Sequence, residues 1–445
     1  MKRSGGILLH ITSLPGNEGC GTLGEEAFGF VDSLKETGIK LWQILPLGPT
    51  GFGNSPYLCY SAFAGNPILI SLKELEKSGL LNLSDLKRVP RFSKKQVEFE
   101  RVGEWKYPLL RKAFSNYQPL ENIDLKNEYQ QFINEHGWWL NDYALFMALK
   151  KQFNGLTWHE WDESIKIRDK KTLSEFRYQM AEEIEFRKFL QFCFFRQWHN
   201  IKEYANSKEI QIIGDMPLYV ANDSVDVWAN TDVFQLNDNL KPTFVGGVPP
   251  DYFSETGQLW GNPVYNWQRL KERDFDWWMA RLHFNLRMFD YARIDHFRGL
   301  ESFWSVPARE NTAENGEWIP ALGFEMLDNF RSQKGDMNLI AEDLGVITSE
   351  VEKLRDDFNL PGMKVLQFAF SSDATNNDLP HNYGNNFIAY TGTHDNNTTS
   401  GWFHLAKGDE KKNIRKYFKG RKKRVSLWAV EAVWSSVADV VITPM

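Results

Sequence analysis

The chain has 445 residues, of which 42% are hydrophobic and 25% charged, and its net charge is −6. That length suits about three ordinary domains or one large α/β barrel with insertions, and either buries a sizeable core. The composition is that of a soluble globular protein, and the lack of a basic excess excludes nucleic acid and anionic membrane as expected partners. Three cysteines (Cys20, Cys59, Cys193) are too few and too scattered for a disulfide framework or a cysteine-rich zinc site, which fits a reducing compartment. Met1-Lys2-Arg3 is followed only by the short apolar run Ile7-Leu8-Leu9 before His10, and no apolar run of roughly 18 residues occurs, so a cytoplasmic location is expected. Many of the 17 Trp and 32 Phe stand beside Gly, Asn, Asp or Pro, positions that suit the flat C–H faces of sugar rings as well as ordinary packing.

In chain order, residues 4–11 read as a short buried strand followed by the turn Thr12-Ser13-Leu14-Pro15-Gly16. A helix from Glu25 to Thr37 stops at Gly38, and Leu41 to Pro46 is a second strand, which makes a β-α-β unit with parallel pairing. The loop that follows is rich in Gly, Pro and aromatic residues as far as Pro67, a plausible binding wall at a strand end. Residues 70–205 turn helical over a span too long for an ordinary crossover, and are expected to form a helical subdomain inserted after strand two. Gln211 to Asp215 is strand three. A second insertion, residues 216–285, carries Gly246 to Phe253 and Thr256 to Pro263, and its Gly and Pro content predicts an ordered functional loop.

Strand four is Tyr291-Ala292-Arg293-Ile294, running into Asp295 and His296. Asn338 to Ala341 is a fifth strand ending in Glu342-Asp343, Gly362 to Phe368 a sixth, Phe387 to Tyr390 a seventh ending in Thr393-His394-Asp395, and Ala438 to Ile442 an eighth. The basic run Arg421-Lys422-Lys423-Arg424 before the eighth strand reads as a solvated face. Eight strands separated by helical segments spell a (β/α)8 TIM barrel, a single catalytic domain over residues 1–445 with the two insertions named above.

The C-terminal strand ends of such a barrel converge on one mouth, and three of them carry acids: Asp295, Glu342 and Asp395. Alternation puts Arg293 and Asp295 on one strand face, where the guanidinium is expected to keep Asp295 ionised. Alone, that pair reads as a structural ion pair at a strand terminus. In company with two further acids, it reads as one half of the carboxyl pair that glycoside chemistry needs, with Asp295 attacking the anomeric carbon. Glu342 follows an apolar run with no basic neighbour in sequence, so burial is expected to raise its pKa and let it protonate a leaving oxygen. Asp395 is placed to hold ring hydroxyls, and His296 and His394 to donate hydrogen bonds to the same sugar.

Several of these stretches match a known family. The chain resembles the 4-α-glucanotransferases called amylomaltases or disproportionating enzymes (glycoside hydrolase family 77). The resemblance rests on Ile7-Leu8-Leu9-His10 with Thr12 to Gly16, Trp42 to Thr50, Ser55-Pro56-Tyr57 with Ser61 to Pro67, and Gly214 to Pro217. It continues through Val248 to Phe253, Arg293 to Gly299, Ala341 to Gly345 and Tyr390 to Asn396. It implies that Asp295 is the nucleophile, Glu342 the acid/base and Asp395 the transition-state stabiliser of a retaining transfer between α-1,4-glucans, maltooligosaccharides and glucose, with no cofactor and no metal. It implies aromatic platforms at Tyr57, Tyr252, Phe253 and Trp260, and polar partners of the cleft at Ser55, Asp215, Asp251, Gln258, Arg293, His296 and His394. Membership would place the protein in glycogen and maltodextrin metabolism.

The sequence departs from the family pattern at Asn397, where aspartate is usual, at Phe303, where tyrosine is commoner, and at Trp318 to Ala321, which replaces a Gly-Pro-Gly turn. Relatives continue past the eighth strand with a Gln-Asp pair and a closing helix, whereas this chain ends at Met445. The expectation is a C-terminus truncated after the eighth strand, with Val440, Val441 and Ile442 uncovered and prone to aggregation. Two alternatives share the three acids: an α-amylase-like hydrolase and a truncated, inactive glucan-binding homologue. A metal-dependent barrel hydrolase using His10, His296, His394, Asp295 and Asp395 lacks any H-x-H or H-E-x-x-H pairing.

Overall fold

The structure, a computed structural model, describes residues 1–250, 254–418 and 424–445. Twelve strands occur among them: β1 (Ser4–Leu8), β2 (Leu41–Gln43), β3 (Gln211–Met216), β4 (Phe244–Val248), β5 (Gln258–Pro263), β6 (Tyr291–Ile294), β7 (Ser302–Pro307), β8 (Glu317–Pro320), β9 (Leu339–Ala341), β10 (Gly362–Val365), β11 (Phe387–Tyr390) and β12 (Val440–Pro444). Eight of them form a parallel sheet in the order β10-β11-β12-β1-β2-β3-β6-β9. The two outermost strands meet through the bond from Ala341 N to Pro361 O, 2.9 Å, which brings the sheet round as a TIM barrel with one thin seam.

Alternation along each strand sorts its side chains into two layers. Leu8, Leu41, Ile213, Ile340, Met363, Val365, Ile388, Tyr390, Val440 and Ile442 fill the barrel interior. Their neighbours, such as Trp42, Ile212, Ala292, Ile294 and Ala341, face outward onto the helices. The same alternation carries Gln43, Asp215, Arg293 and Glu342 to the inner side, above the apolar plug, so a polar layer caps the interior at the C-terminal end. Gly214 has to be glycine because its outward Cβ position lies 2.0 Å from the ring of Phe289.

Between β2 and β3 the chain runs through the loop after β2 into a series of helices, with the long helices Ile123–Gln152 and Ala181–Ser207 packed on one another. Their aromatic rows, including Trp139, Phe146, Phe189 and Phe194, are buried in the main core. Two buried glutamines bind this layer to the loop after β2. Gln191 donates to Gly65 O (2.9 Å) and accepts from Gly65 N (2.7 Å), and Gln197 makes the same pair of bonds with Ser71. Each amide satisfies a backbone donor and acceptor that no strand reaches, which fixes the loop holding Tyr57.

The stretch expected to be a loop after β3 is built differently. With segments after β6 it forms an antiparallel sheet in the order β5-β4-β7-β8. The glycines that suggested a loop, Gly246 and Gly247, sit in β4 at a register shift, where a β-bulge accounts for them. Phe303 is buried in β7, and Trp318 in β8 packs on Trp304 with ring centroids 5.2 Å apart. The expectation that the eighth strand lies uncovered is also corrected. Val440, Val441 and Ile442 are buried, the first and last inside the barrel and Val441 against Ala429 and Val433 of the helix Val425–Trp434. Each such aliphatic contributes about 1.5–3 kcal/mol by burial. Of the basic run before it, residues 421–423 lie outside the described residues.

Candidate active site

Arg293 is the hub of the polar layer. It faces Asp215 across the β3/β6 register, and its Nη1 donates to Asp215 Oδ1 (2.8 Å) and Oδ2 (3.0 Å). The same guanidinium donates to Asp295 Oδ1 from Nη1 (3.0 Å) and Nη2 (2.9 Å). Asp215 and Arg293 are almost fully enclosed, at 3% and 2% exposure, whereas the side chain of Asp295 keeps 28%. Asp215 therefore sits behind the site and works through its neighbours, while Asp295 reaches the mouth. Burial opposes the charge on Arg293, but Asp215 and Asp295 hold it well above its ordinary pKa.

After β6 the chain turns at His296, which adopts the left-handed conformation at φ 54°, uncommon for a residue with a Cβ. The turn aims the His296 N–H at Glu342 Oε2 (2.6 Å), and Leu344 N donates to Oε1 (3.1 Å). Backbone bonds from Glu342 N to Ile294 O and from Phe297 N to Glu342 O, each 3.1 Å, hold Glu342 beside Asp295. Burial pushes Glu342 up to about 8, opposed by Arg293 and assisted by the Asp295 charge. Burial also pushes Asp295 up to about 7 against the pull of Arg293. Arg293 is bound directly to Asp295, as alternation on the strand requires, but the guanidinium is shared with Asp215 and works against the desolvation of the site. The two titrate as a pair, and because Asp295 accepts directly from the Arg293 guanidinium whereas Glu342 accepts from backbone N–H groups, a single proton shared between them favours Glu342.

A chain of hydrogen bonds leads from the inner acids to His394, beside which Asp395 stands. The Tyr57 hydroxyl lies 2.6 Å from Asp215 Oδ2 and 2.7 Å from His394 Nε2, and His394 Nε2 lies 3.3 Å from Asp395 Oδ1. Asp215, bound to Arg293, only accepts, so the phenol donates to it and its oxygen accepts from a protonated Nε2 of His394. Burial lowers the pKa of His394 and raises that of Tyr57, so both stay neutral. The proton order from the Arg293–Asp215 pair to His394 is thus fixed by donor and acceptor counting. The Tyr57 and His394 rings also stack, 5.3 Å apart and within 8° of parallel. Asp395 itself, with its side chain 72% exposed, stands free at the mouth.

The remaining predicted residues flank this core. Ser55 Oγ accepts from Tyr57 N (3.3 Å) and shapes the turn that presents Tyr57. Trp260 stands on β5 with its ring perpendicular to His296 at 4.8 Å, and its Nε1 donates to Gln258 Oε1 (3.2 Å). Asp251, Tyr252 and Phe253 lie outside the described residues. Burial and then Arg298 lower His296 to about 4, leaving it neutral, and its Nε2 is buried without a protein partner, as is Nδ1 of His394. Asn397, where the family has aspartate, offers its backbone oxygen to Gln367 Nε2 at 2.8 Å. Among the described residues, no three His, Cys, Asp or Glu side chains converge as a metal-ligand set.

Sequence reasoning missed the floor of the site. Tyr390 donates to Gln43 Oε1 (2.8 Å) in the buried layer beneath Arg293. Alternation within the second and seventh strands carried the signal, since it puts both residues on the inner face.

Comparison with known proteins gives one answer. A family model described as 4-alpha-glucanotransferase, glycoside hydrolase family 77, matches residues 9–445. The 4-alpha-glucanotransferase of Synechocystis sp. is 49% identical across all of this chain and 89% of its own length. That of Thermus thermophilus is 48% identical over 94% of this chain and 83% of its own. The solved structure of an amylomaltase from Streptococcus agalactiae in complex with acarbose superposes with a TM-score of 0.97 at 41% identity, covering all of this chain and 90% of the other.

Proposed function

The chain belongs to the 4-alpha-glucanotransferase family, glycoside hydrolase family 77, and we propose that this transferase works by double displacement with Asp295 as nucleophile, Glu342 as acid/base and Asp395 as transition-state stabiliser. The observation that carries the reading is the arrangement of the two inner carboxyl groups, side by side on neighbouring strand ends, with burial keeping the proton on Glu342.

In the first step Glu342 protonates the glycosidic oxygen of an α-1,4 bond while Asp295 attacks C1 from the opposite face. The C1–O bond breaks, the shortened glucan leaves with a free 4-hydroxyl, and the retained segment becomes a β-glucosyl ester of Asp295. In the second step Glu342, now a carboxylate, takes the proton of an acceptor 4-hydroxyl, whose oxygen displaces Asp295 and restores the α-linkage. Two inversions retain configuration. Asp395, free at the mouth and ordered through His394, binds ring hydroxyls as charge develops at C1. The buried, unpartnered nitrogens of His296 and His394 suit sugar hydroxyls, and Tyr57 and Trp260 supply apolar faces for the rings.

In this reading residues 1–445 are one catalytic domain, with the insertions 70–205 and 216–285 as walls of the cleft. Asp251, Tyr252 and Phe253, outside the described residues, are assigned to substrate binding by the family resemblance alone. The substrates and acceptors are α-1,4-glucans, maltooligosaccharides and glucose, with no nucleic acid or membrane as partner. The setting is cytoplasmic glycogen and maltodextrin metabolism, and the three unpaired cysteines support a reducing compartment. No helix among the described residues is long and apolar enough to cross a membrane.

Incubation with maltotriose alone tests the proposal. A ladder of longer maltooligosaccharides plus glucose is expected, and loss of the ladder in Asp295→Asn. Glucose and maltose as sole products would make the enzyme a hydrolase, and binding without turnover would make it an inactive homologue.

A further inference from the structure

The barrel seam between β9 and β10 is the one junction of the sheet without a strand ladder, and Glu342 is the residue that leaves β9 at that seam. Besides the single backbone bond there, a side chain closes it. Asp343 Oδ1 accepts from Met363 N on β10 (2.6 Å), and its Oδ2 accepts from Arg355 Nη1 (2.5 Å) on the helix Ser349–Asp357. The carboxylate is only 5% exposed and the guanidinium 10%. Room for it exists because residue 362 is glycine: a Cβ there would lie 2.5 Å from Asp343 Oδ2. Arg355 is held in turn by Asp356 through its Nε (2.8 Å) and lies over the Phe387 ring at 5.0 Å. A buried, fully partnered carboxylate thus ties strand, loop and helix together next to Glu342, and the same loop supplies the Leu344 N–H that binds Glu342 Oε1.

We propose that Asp343, clamped between Met363 N and Arg355, is a positioning residue that holds Glu342 in line with the glycosidic oxygen it protonates. The inference rests on the assignment of Glu342 as acid/base. Without the clamp, the loop 342–345 keeps its bonds to the turn after β6, but on the β10 side the seam is left with the single backbone bond at Ala341, and a misplacement of about 1 Å is enough to cost about a hundredfold in rate. The Asp343 charge also favours the protonated form of Glu342, so its removal moves the basic limb of the pH profile toward lower pH.

The test compares two donors: maltotriose, whose leaving group needs a proton, and α-maltosyl fluoride, whose fluoride leaves without one. In Asp343→Asn, kcat/KM for maltotriose is expected to fall about 10- to 100-fold, against less than about threefold for the fluoride, with the basic limb shifted downward. Equal losses on both donors with an unmoved limb, or no loss on either, overturn the proposal. If Asp343→Asn does not fold, Arg355→Lys decides by the same ratio, since it keeps the charge and loses the planar reach to Asp343 and Asp356. Glu342→Gln serves as the reference. Equal loss on both donors in that variant places the failure in the assignment of Glu342. A loss confined to maltotriose upholds that assignment, and the donor ratio in Asp343→Asn then decides for or against the clamp.

Discussion

Replacing Glu342 with glutamine is expected to stabilise the protein while disabling it, and the gain depends on pH in a direction the site dictates. Burial raises Glu342 from an ordinary value of 4.5 to about 8. A carboxyl whose folded pKa lies above its unfolded one binds its proton more tightly in the folded state. Its contribution to stability is therefore whole below pH 4.5 and is lost as pH rises to about 8. At pH 7 that loss approaches about 3 kcal/mol. A glutamine of the same shape stays neutral and avoids it. Against this, Glu342 accepts from both His296 N and Leu344 N, and an amide has one oxygen, so one N–H then faces the NH2 group at a cost of about 1–2 kcal/mol. The net gain is about 1–2 kcal/mol at pH 7, or roughly 1–3 °C in Tm, grows by about 1 kcal/mol toward pH 8, and vanishes or reverses near pH 4.5. Scanning calorimetry of both proteins from pH 4.5 to 8.5 reads it. The kcat on maltotriose is expected to fall about 10²- to 10⁴-fold. A Tm difference that is constant from pH 5 to 8 would refute the reasoning, because it would mean that Glu342 does not carry a raised pKa.

Other consequences follow from the same geometry. The profile of kcat/KM against pH is expected to be bell-shaped, with both limbs belonging to the Asp295–Glu342 pair and displaced above the ordinary carboxylate range by burial. Removing the hydroxyl in Tyr57→Phe keeps the ring face but breaks both of its hydrogen bonds, so kcat is expected to drop about 10- to 100-fold with KM nearly unchanged. Nitrogen-15 chemical shifts of His394 check the proton order, which predicts the Nε2–H tautomer in the native enzyme and a tautomer mixture in the variant. Arg293→Lys cannot serve Asp215 and Asp295 together, and leaves buried charge uncompensated. A loss of about 3–5 kcal/mol in urea unfolding is expected, along with loss of activity.

The barrel was legible because its strands are short apolar runs at regular places, and each of the eight expected strands has a counterpart in the sheet. The common face of Arg293 and Asp295 was legible too, since strand alternation alone requires it. The partnership of Arg293 with Asp215 was not, because the two residues are 78 positions apart and meet only through the register of neighbouring strands. The upward push on the Asp295 carboxyl was hidden for the same reason: along the sequence Asp295 has the guanidinium to itself, whereas in space it is buried and two carboxylates divide the charge. The four-stranded sheet escaped notice because its Gly and Pro residues, which usually mark loops, serve here at a bulge and at strand ends. The cover over Val441 comes from the helix before β12, not from a segment after the strand.

The most direct test of the account is to trap the intermediate. Glu342→Gln should still react with α-maltosyl fluoride, because fluoride leaves without a proton, but it lacks the base that activates an acceptor, so the glucosyl ester should accumulate. Peptide mapping by mass spectrometry is predicted to find the added maltosyl mass on the peptide that contains Asp295, and to lose it when a large excess of azide, which needs no base, is added. Label on a different residue, or fluoride release with an inverted product and no labelled peptide, would contradict a retaining transfer through Asp295.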